Sequence, residues 1–407
     1  TLSLHDALPI SKDLPETSDR FSVRLRQTLA LSPAHELTIS LAKQWFWNHS
    51  AIDRRDSPVG DLRQRSHTMH SAEATASLFS DRWWSVLAGA RFEAERFAQT
   101  LRRTEVIGNS LRTSELAEVP LTSLASAALY GQLKLKLGSA WTALGGARLE
   151  GSSRYGAAVA PSLAVAFTPT ERLVLRLRGG RGYRAPSAKE LGFVFDHAVY
   201  GYRVVGNPDL SPETSWGVGA DAEVTPVRGV RLRASTFANW IQDLIDLQIA
   251  PDVPAPAGVY TYTYKNVGSA RTMGASVDVG VRASAWLRAE VGWAYVFSRD
   301  ETLDRPLPGR PPHTVQASIV ATLPLAIDAV VRARFVTESF VEDDVRAPGF
   351  GTLDARLART IYGHVRGYVG ALNLLGAQKD PHRPGDARPV EGRTFYAGAS
   401  ADFPWEP

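Results

Sequence analysis

The residue types best suited to chemistry are few and scattered along the 407 residues. His67-Thr-Met-His70 places two imidazoles three positions apart. Such a pair can hold a metal from one face of a helix, whereas on a strand the two rings face opposite sides. Asp243 and Asp246 have the same spacing. Paired carboxylates that share a substrate must face one another; on a strand these diverge, and two solvated charges at a strand top explain them equally well. Glu342-Asp343-Asp344 is an acidic cluster, the composition of a solvated loop tip and also of a site for calcium or a cationic group. Arg178-Gly-Gly-Arg-Gly-Tyr-Arg184 has the wording of an RNA-binding segment, yet it closes a strand of alternating leucine and arginine. There is no Gly-x-Ser-x-Gly elbow and no Ser-His-Asp pattern. The absence of cysteine excludes disulfides, thiolate metal sites and a cysteine nucleophile. Nothing in the sequence argues for an enzyme, a resident metal or a cofactor.

The stronger binding signal is a long stretch from Arg178 to Trp216, rich in glycine and aromatic residues and marked by Pro-Asp and Ser-Pro turns. Its best ligand candidates are Arg184, His197, Tyr200, Tyr202 and Arg203. Arginine forks suit anionic and catecholate-bearing complexes, and exposed tyrosines stack on large ligands at low entropy cost. The same aromatics would equally serve to pack the loop on itself.

The elements that must carry this loop are strands. Leu173, Leu175 and Leu177 share one face, with Arg176 and Arg178 on the other. Val230, Leu232 and Ala234 oppose Arg231, Arg233 and Ser235. Leu287 through Phe297 oppose Arg288 and Glu290, and Val331, Ala333 and Phe335 oppose Arg332 and Arg334. Alternation of this kind gives each strand one apolar and one polar face. The connections alternate between short turns (32–35, 80–82, 168–172, 225–229, 282–285, 323–325, 361–363) and long ones (47–60, 98–120, 184–212, 249–258, 299–312, 339–349, 376–392). No apolar run is long enough for a membrane helix. Short turns on one side, long loops on the other and aromatics (Trp240, Trp286, Tyr295, Phe297) ending the apolar face favour an all-β transmembrane antiparallel barrel. A soluble sheet with one wet face shares the alternation but not the parity. The formal charge of +4 is carried mostly by arginines spread over strand positions, not gathered into the patch a nucleic-acid binder needs.

Three stretches resemble TonB-dependent outer-membrane receptors. One is Gly182-Tyr183-Arg184-Ala185-Pro186-Ser187 with Gly206-Asn207-Pro208-Asp209-Leu210-Ser211-Pro212-Glu213. The second runs from Phe237 to Ile245 and on through Tyr264-Lys-Asn266-Val-Gly268. The third is the last strand, where Phe395, Ala397, Ala399, Ala401 and Phe403 share a face, similar to the signature such proteins present to the barrel-assembly machinery. The chain departs from the pattern in continuing to Pro407 beyond the terminal aromatic. The family's plug domain and TonB-pairing segment are expected to lie outside these residues, upstream. The resemblance implies bacterial outer-membrane location and energy-coupled uptake of a metal chelate such as an iron–siderophore, or of cobalamin. It also implies that TonB acts through the plug and that lumenal arginines such as Arg231, Arg233, Arg332 and Arg334 are expected to meet the plug's acidic groups and water rather than ligand. Gly206, Asn207, Pro208, Leu210, Pro212 and Glu213 are expected to be structural, because the prolines fix φ and Asp209 and Ser211 cap turns.

The spacing predicts about seventeen strands, against about twenty-two in the family. Residues 1–12 begin with TLSLHDALPIS, which has no signal-peptide pattern and resembles translated adapter sequence. They are expected to be foreign, leaving 13–407 as part of a barrel whose natural chain extends upstream. An open barrel leaves unpaired edges in lipid, so the isolated chain is expected to be protease-sensitive in detergent. A passive porin-like channel and a soluble β-rich binding domain are the competing classes. An upstream plug separates receptor from pore, and partition into water after detergent extraction marks the soluble class.

Overall fold

A computed structural model of the chain describes residues 12–13, 15–54, 57–80, 82–197, 202–250, 259–342, 345–380, 386–389 and 391–401. Within them, seventeen strands of eight residues or more form one antiparallel sheet. The first eight are β1 (Glu16–Ser32), β2 (His35–Arg54), β3 (Gly60–Leu78), β4 (Trp84–Ile107), β5 (Ser110–Leu137), β6 (Trp141–Ser152), β7 (Gly156–Thr170) and β8 (Leu173–Arg184). After the long loop come β9 (Glu213–Val224), β10 (Val230–Ile249), β11 (Tyr260–Arg282), β12 (Leu287–Asp300) and β13 (His313–Leu323). The last four are β14 (Ile327–Val336), β15 (Phe350–Tyr362), β16 (Val365–Leu372) and β17 (Thr394–Ala401). Each pairs with the next. Among the described residues no ladder joins β1 to β17, so both are edges.

The two faces separate as the alternation requires. On one side Leu177 is 64% exposed, and Leu129, Leu163, Val218, Val291, Ile319 and Leu357 are exposed with it. Trp83, Trp141 and Trp286 mark one end of this apolar band; Trp47, Trp216 and Trp240 mark the other. An apolar band between aromatic girdles is the face a lipid bilayer covers. The opposite face carries ion pairs across neighbouring strands, including Arg178 with Asp221, Arg233 with Glu223 and Arg366 with Asp328. Charged groups pair there because the interior is the only polar surface the strands offer.

Turns of two to five residues close every hairpin at one end: 33–34, 79–83, 138–140, 171–172, 225–229, 283–286, 324–326 and 363–364. The long connections 185–212, 301–312, 337–349 and 373–393 all lie at the other end. Two expected loops are instead strand. Residues 47–60 mostly continue β2, and residues 98–120 belong to β4 and β5, which meet at Gly108-Asn109. Gly108 takes φ +62° there, a conformation that costs glycine little. Register shifts around Gln99 interrupt the alternation and hide these strands from a period-two reading.

Candidate functional site at the mouth of the barrel

The loop between β8 and β9 crosses the mouth. It is fastened first at its root. Arg184, the last residue of β8, donates through Nε and Nη2 to Glu213 at 2.8 and 2.6 Å and through Nη1 to Glu190 at 3.1 Å. Glu213 also accepts from the Ile245 amide at 2.7 Å. Pro186 is fully buried, and Ser187 caps the five-residue helix α1 (Ala188–Gly192) in a reciprocal box with Glu190.

The returning arm is held as firmly. Asn207 donates to the Tyr264 carbonyl and accepts from the Asp209 amide, both at 2.9 Å. Asn266 accepts from the Ser211 amide and donates to the Ser211 and Asp243 carbonyls. Asp243 is left out of the β10–β11 ladder, which resumes in the same register beyond it, and sits at φ +57°, so Asn266 pins a left-handed residue within the strand. Leu210, 3% exposed, packs with Leu191 and Ile245 against Leu124, Tyr155 and Tyr264. This cluster ties the loop to β5, β10 and β11.

Between root and return lies an arch. Val194–His197 pairs with Tyr202–Val205, and Tyr202–Val205 lies parallel to Tyr260–Thr263 of β11. Arg203 donates through Nε to Thr261 at 2.8 Å. Phe195 lies 5.0 Å beneath the Arg63 guanidinium, and Gly192 borders Pro120 of β5. Arg63 in turn holds the fully buried Glu118, which also accepts from Gln99 at 2.7 Å.

Of the expected ligand residues, Tyr202 and Arg203 lie together on the arch, and His197 is paired with Tyr202 on the hairpin. Tyr200 lies outside the described residues. Arg184 stands at the root with its fork on two carboxylates. Gly206, Asn207, Pro208, Leu210, Pro212 and Glu213 form the return: the Pro208 carbonyl accepts from Arg154 at 2.6 Å, and Pro212 links the Ser211 contact to Glu213. Asp243 and Asp246 do not form a facing pair; Asp246 accepts from the Leu247 amide. Glu342 ends a short hairpin strand, and Asp343 and Asp344 lie outside the described residues. Phe395 is 74% exposed on the apolar face, while Phe403 lies outside the described residues. The anchoring roles of Glu190 and Asn266 had a sequence signal, the Ser187-x-x-Glu190 capping box and the Asn266-Val-Gly stretch. Glu118 had none.

Residues 9–374 match the family described as TonB dependent receptor-like, beta-barrel. The match begins inside the N-terminal stretch expected to be foreign. An iron-regulated outer membrane virulence protein of Vibrio cholerae is 25% identical over 182 residues, 43% of this chain and 28% of that protein. The copper transporter OprC shares the fold with a TM-score of 0.76 at 15% identity, covering 95% of this chain and 67% of its own. The ferric enterobactin receptor PfeA gives 0.67 at 13% identity, covering 95% and 71%. The fold and the loop thus define an outer-membrane β-barrel of the receptor class. The chain belongs to the TonB-dependent receptor β-barrel family and resides in the bacterial outer membrane.

Proposed function

We propose that the full-length protein is an outer-membrane receptor that takes up a metal chelate, such as an iron–siderophore complex, with cobalamin the other candidate cargo, and is driven through TonB. The observation that carries this reading is the loop 185–212, anchored into β10 and β11 and laid across the mouth. A passive pore needs an open lumen; a receptor needs a fixed surface that meets its ligand. The matched relatives point the same way, being described as an iron-regulated protein and a ferric enterobactin receptor. Cargo contact is assigned to the arch, through His197, Tyr200, Tyr202 and Arg203. Arg184 supports the arch from below. Phe395 and the small residues following it on β17 serve recognition by the barrel-assembly machinery.

Conductance of the full-length protein in a planar bilayer tests the reading against a porin. The expected result is no large steady channel. A stable open conductance would overturn it.

A further inference from the structure

The arch is held unequally on its two sides. Toward β11 the hold is a backbone ladder, Tyr202–Val205 beside Tyr260–Thr263, with Tyr202 edge-on to Tyr262 at 6.5 Å. Toward the wall built by β3, β4 and β5 the arch presents its first strand, Val194–His197. Among the described residues that strand pairs only with Tyr202–Val205, so its other side is an edge. There it is met by side chains. The Phe195 ring lies against the Arg63 guanidinium of β3 at 5.0 Å, and Gly192, just before the strand, sits beside Val119 and Pro120 of β5.

The wall is shaped for this contact. Beside Gln99 the β4–β5 register shifts, and Glu118 falls between the paired positions Gln99–Val119 and Thr100–Ala117. Such a bulge turns a side chain out of the alternation. Glu118 is fully buried. Arg63 Nε donates to both of its carboxylate oxygens, at 3.0 and 3.1 Å, and Gln99 donates to one of them at 2.7 Å. Gln99 in turn accepts from Arg65 at 2.8 Å. Two residues on, Pro120 offers no N–H for a ladder. A carboxylate that fixes a guanidinium by its edge leaves the flat face of that cation to a ring. Arg63 Nη2 is shut off from solvent without a hydrogen-bond partner, 3.9 Å from an Asp61 oxygen.

We propose that the arch is a lid: it turns on its β11 ladder and is shut against the barrel wall by a latch in which Glu118 positions Arg63 against Phe195. The root and the return stay fixed while the arch moves. The inference rests on the uptake reading above, since a lid serves a mouth that admits cargo. The shut latch leaves Arg63 Nη2 without a partner, and opening hydrates that donor, so the two positions lie close in free energy. Glu118 is a positioning residue that acts through Arg63.

The test is native-state hydrogen exchange of purified full-length protein in detergent. It is read over the arch, residues 194–197 and 202–205, with the return, residues 207–213, as internal reference. Glu118→Gln keeps the shape and removes the charge. Phe195→Leu removes the ring and leaves the buried cluster whole, so it carries the test alone if Glu118→Gln fails to fold. The expected result is arch exchange faster by about tenfold in each single variant, an unchanged return, and no further gain in the double variant, because both changes break one latch. Arch protection equal to wild type in either single variant, or additive gains in the double variant, would overturn the proposal. So would arch and return loosening together, the mark of general destabilisation. No cargo enters the measurement, so its failure leaves TonB-driven uptake standing, and failure of that uptake leaves the exchange result intact.

Discussion

The root of the long loop and its arch lie a few residues apart and are held by different means. At the root, Arg184, Glu190, Glu213, Asn207 and Asn266 satisfy one another and the backbone of β10 and β11. Polar groups in such a closed network are costly to disturb, since each deletion strands a partner. On the arch, ring packing of Phe193 on Phe195 and of Phe195 near Tyr202 and Arg63 joins two short ladders and the Arg203–Thr261 hydrogen bond. Side chains held by packing can re-pack on a ligand. The motif residues therefore build a fixed frame, and the proposed cargo contacts fall on the less stereotyped insert that the frame carries.

The largest expected effect is at Gly206. A Cβ there would lie 2.5 Å from the Phe193 amide nitrogen and 2.7 Å from that of Gly192, backbone atoms that cannot swing aside. Gly206→Val is expected to destabilise the full-length protein by about 3 kcal/mol, read from denaturant unfolding in detergent, with new protease cleavage in the loop. An unchanged midpoint would mean that the return arm is not a fixed frame. Next comes Asn266→Ala, which strands the Ser211 amide and two carbonyls and is expected to cost about 2 kcal/mol. If the loss is no greater than for an exposed asparagine, the left-handed conformation at Asp243 holds itself.

The arch should respond in the opposite sense. Tyr202→Ala and Arg203→Ala are expected to weaken cargo binding about tenfold, roughly 1.4 kcal/mol, by titration, while the melting temperature stays within a degree or so. A large stability loss with intact binding would place these residues in the frame. The smallest effect concerns the loop before β17. There Asp386 is buried beneath Arg388, whose hydrogen bonds, with those from the Asp380 and Arg388 amides, hold its carboxyl well below the usual carboxylate range. A depressed carboxylate stabilises the fold above its unfolded pKa and loses that contribution as pH falls toward the folded value. Hydrogen-exchange protection of residues 386–389 should thus be flat from about pH 8 to 5 and fall only below about pH 4. A loss already complete at pH 6 would contradict the pairing.

Much of this was legible in the residues. A lipid-facing surface must be apolar and a lumen polar, so alternation and turn spacing predict about seventeen strands, and seventeen of eight residues or more appear among the described residues. The 98–120 hairpin escaped because register shifts near Gln99 break the alternation. The Gly206–Glu213 stretch is legible as turn chemistry, since proline and Asx residues act locally. The Asn266-Val-Gly stretch marks itself by its wording, but which backbone groups it would hold is not legible, because its partner Ser211 lies 55 residues away.

Uptake by cells producing the full-length receptor tests the central claim most directly. Radiolabelled ferric chelate would be supplied with and without a protonophore. The account predicts that surface binding persists while internal accumulation of the cargo collapses when the proton gradient is dissipated. Accumulation that continues at the same rate without the gradient would show a passive channel and contradict it.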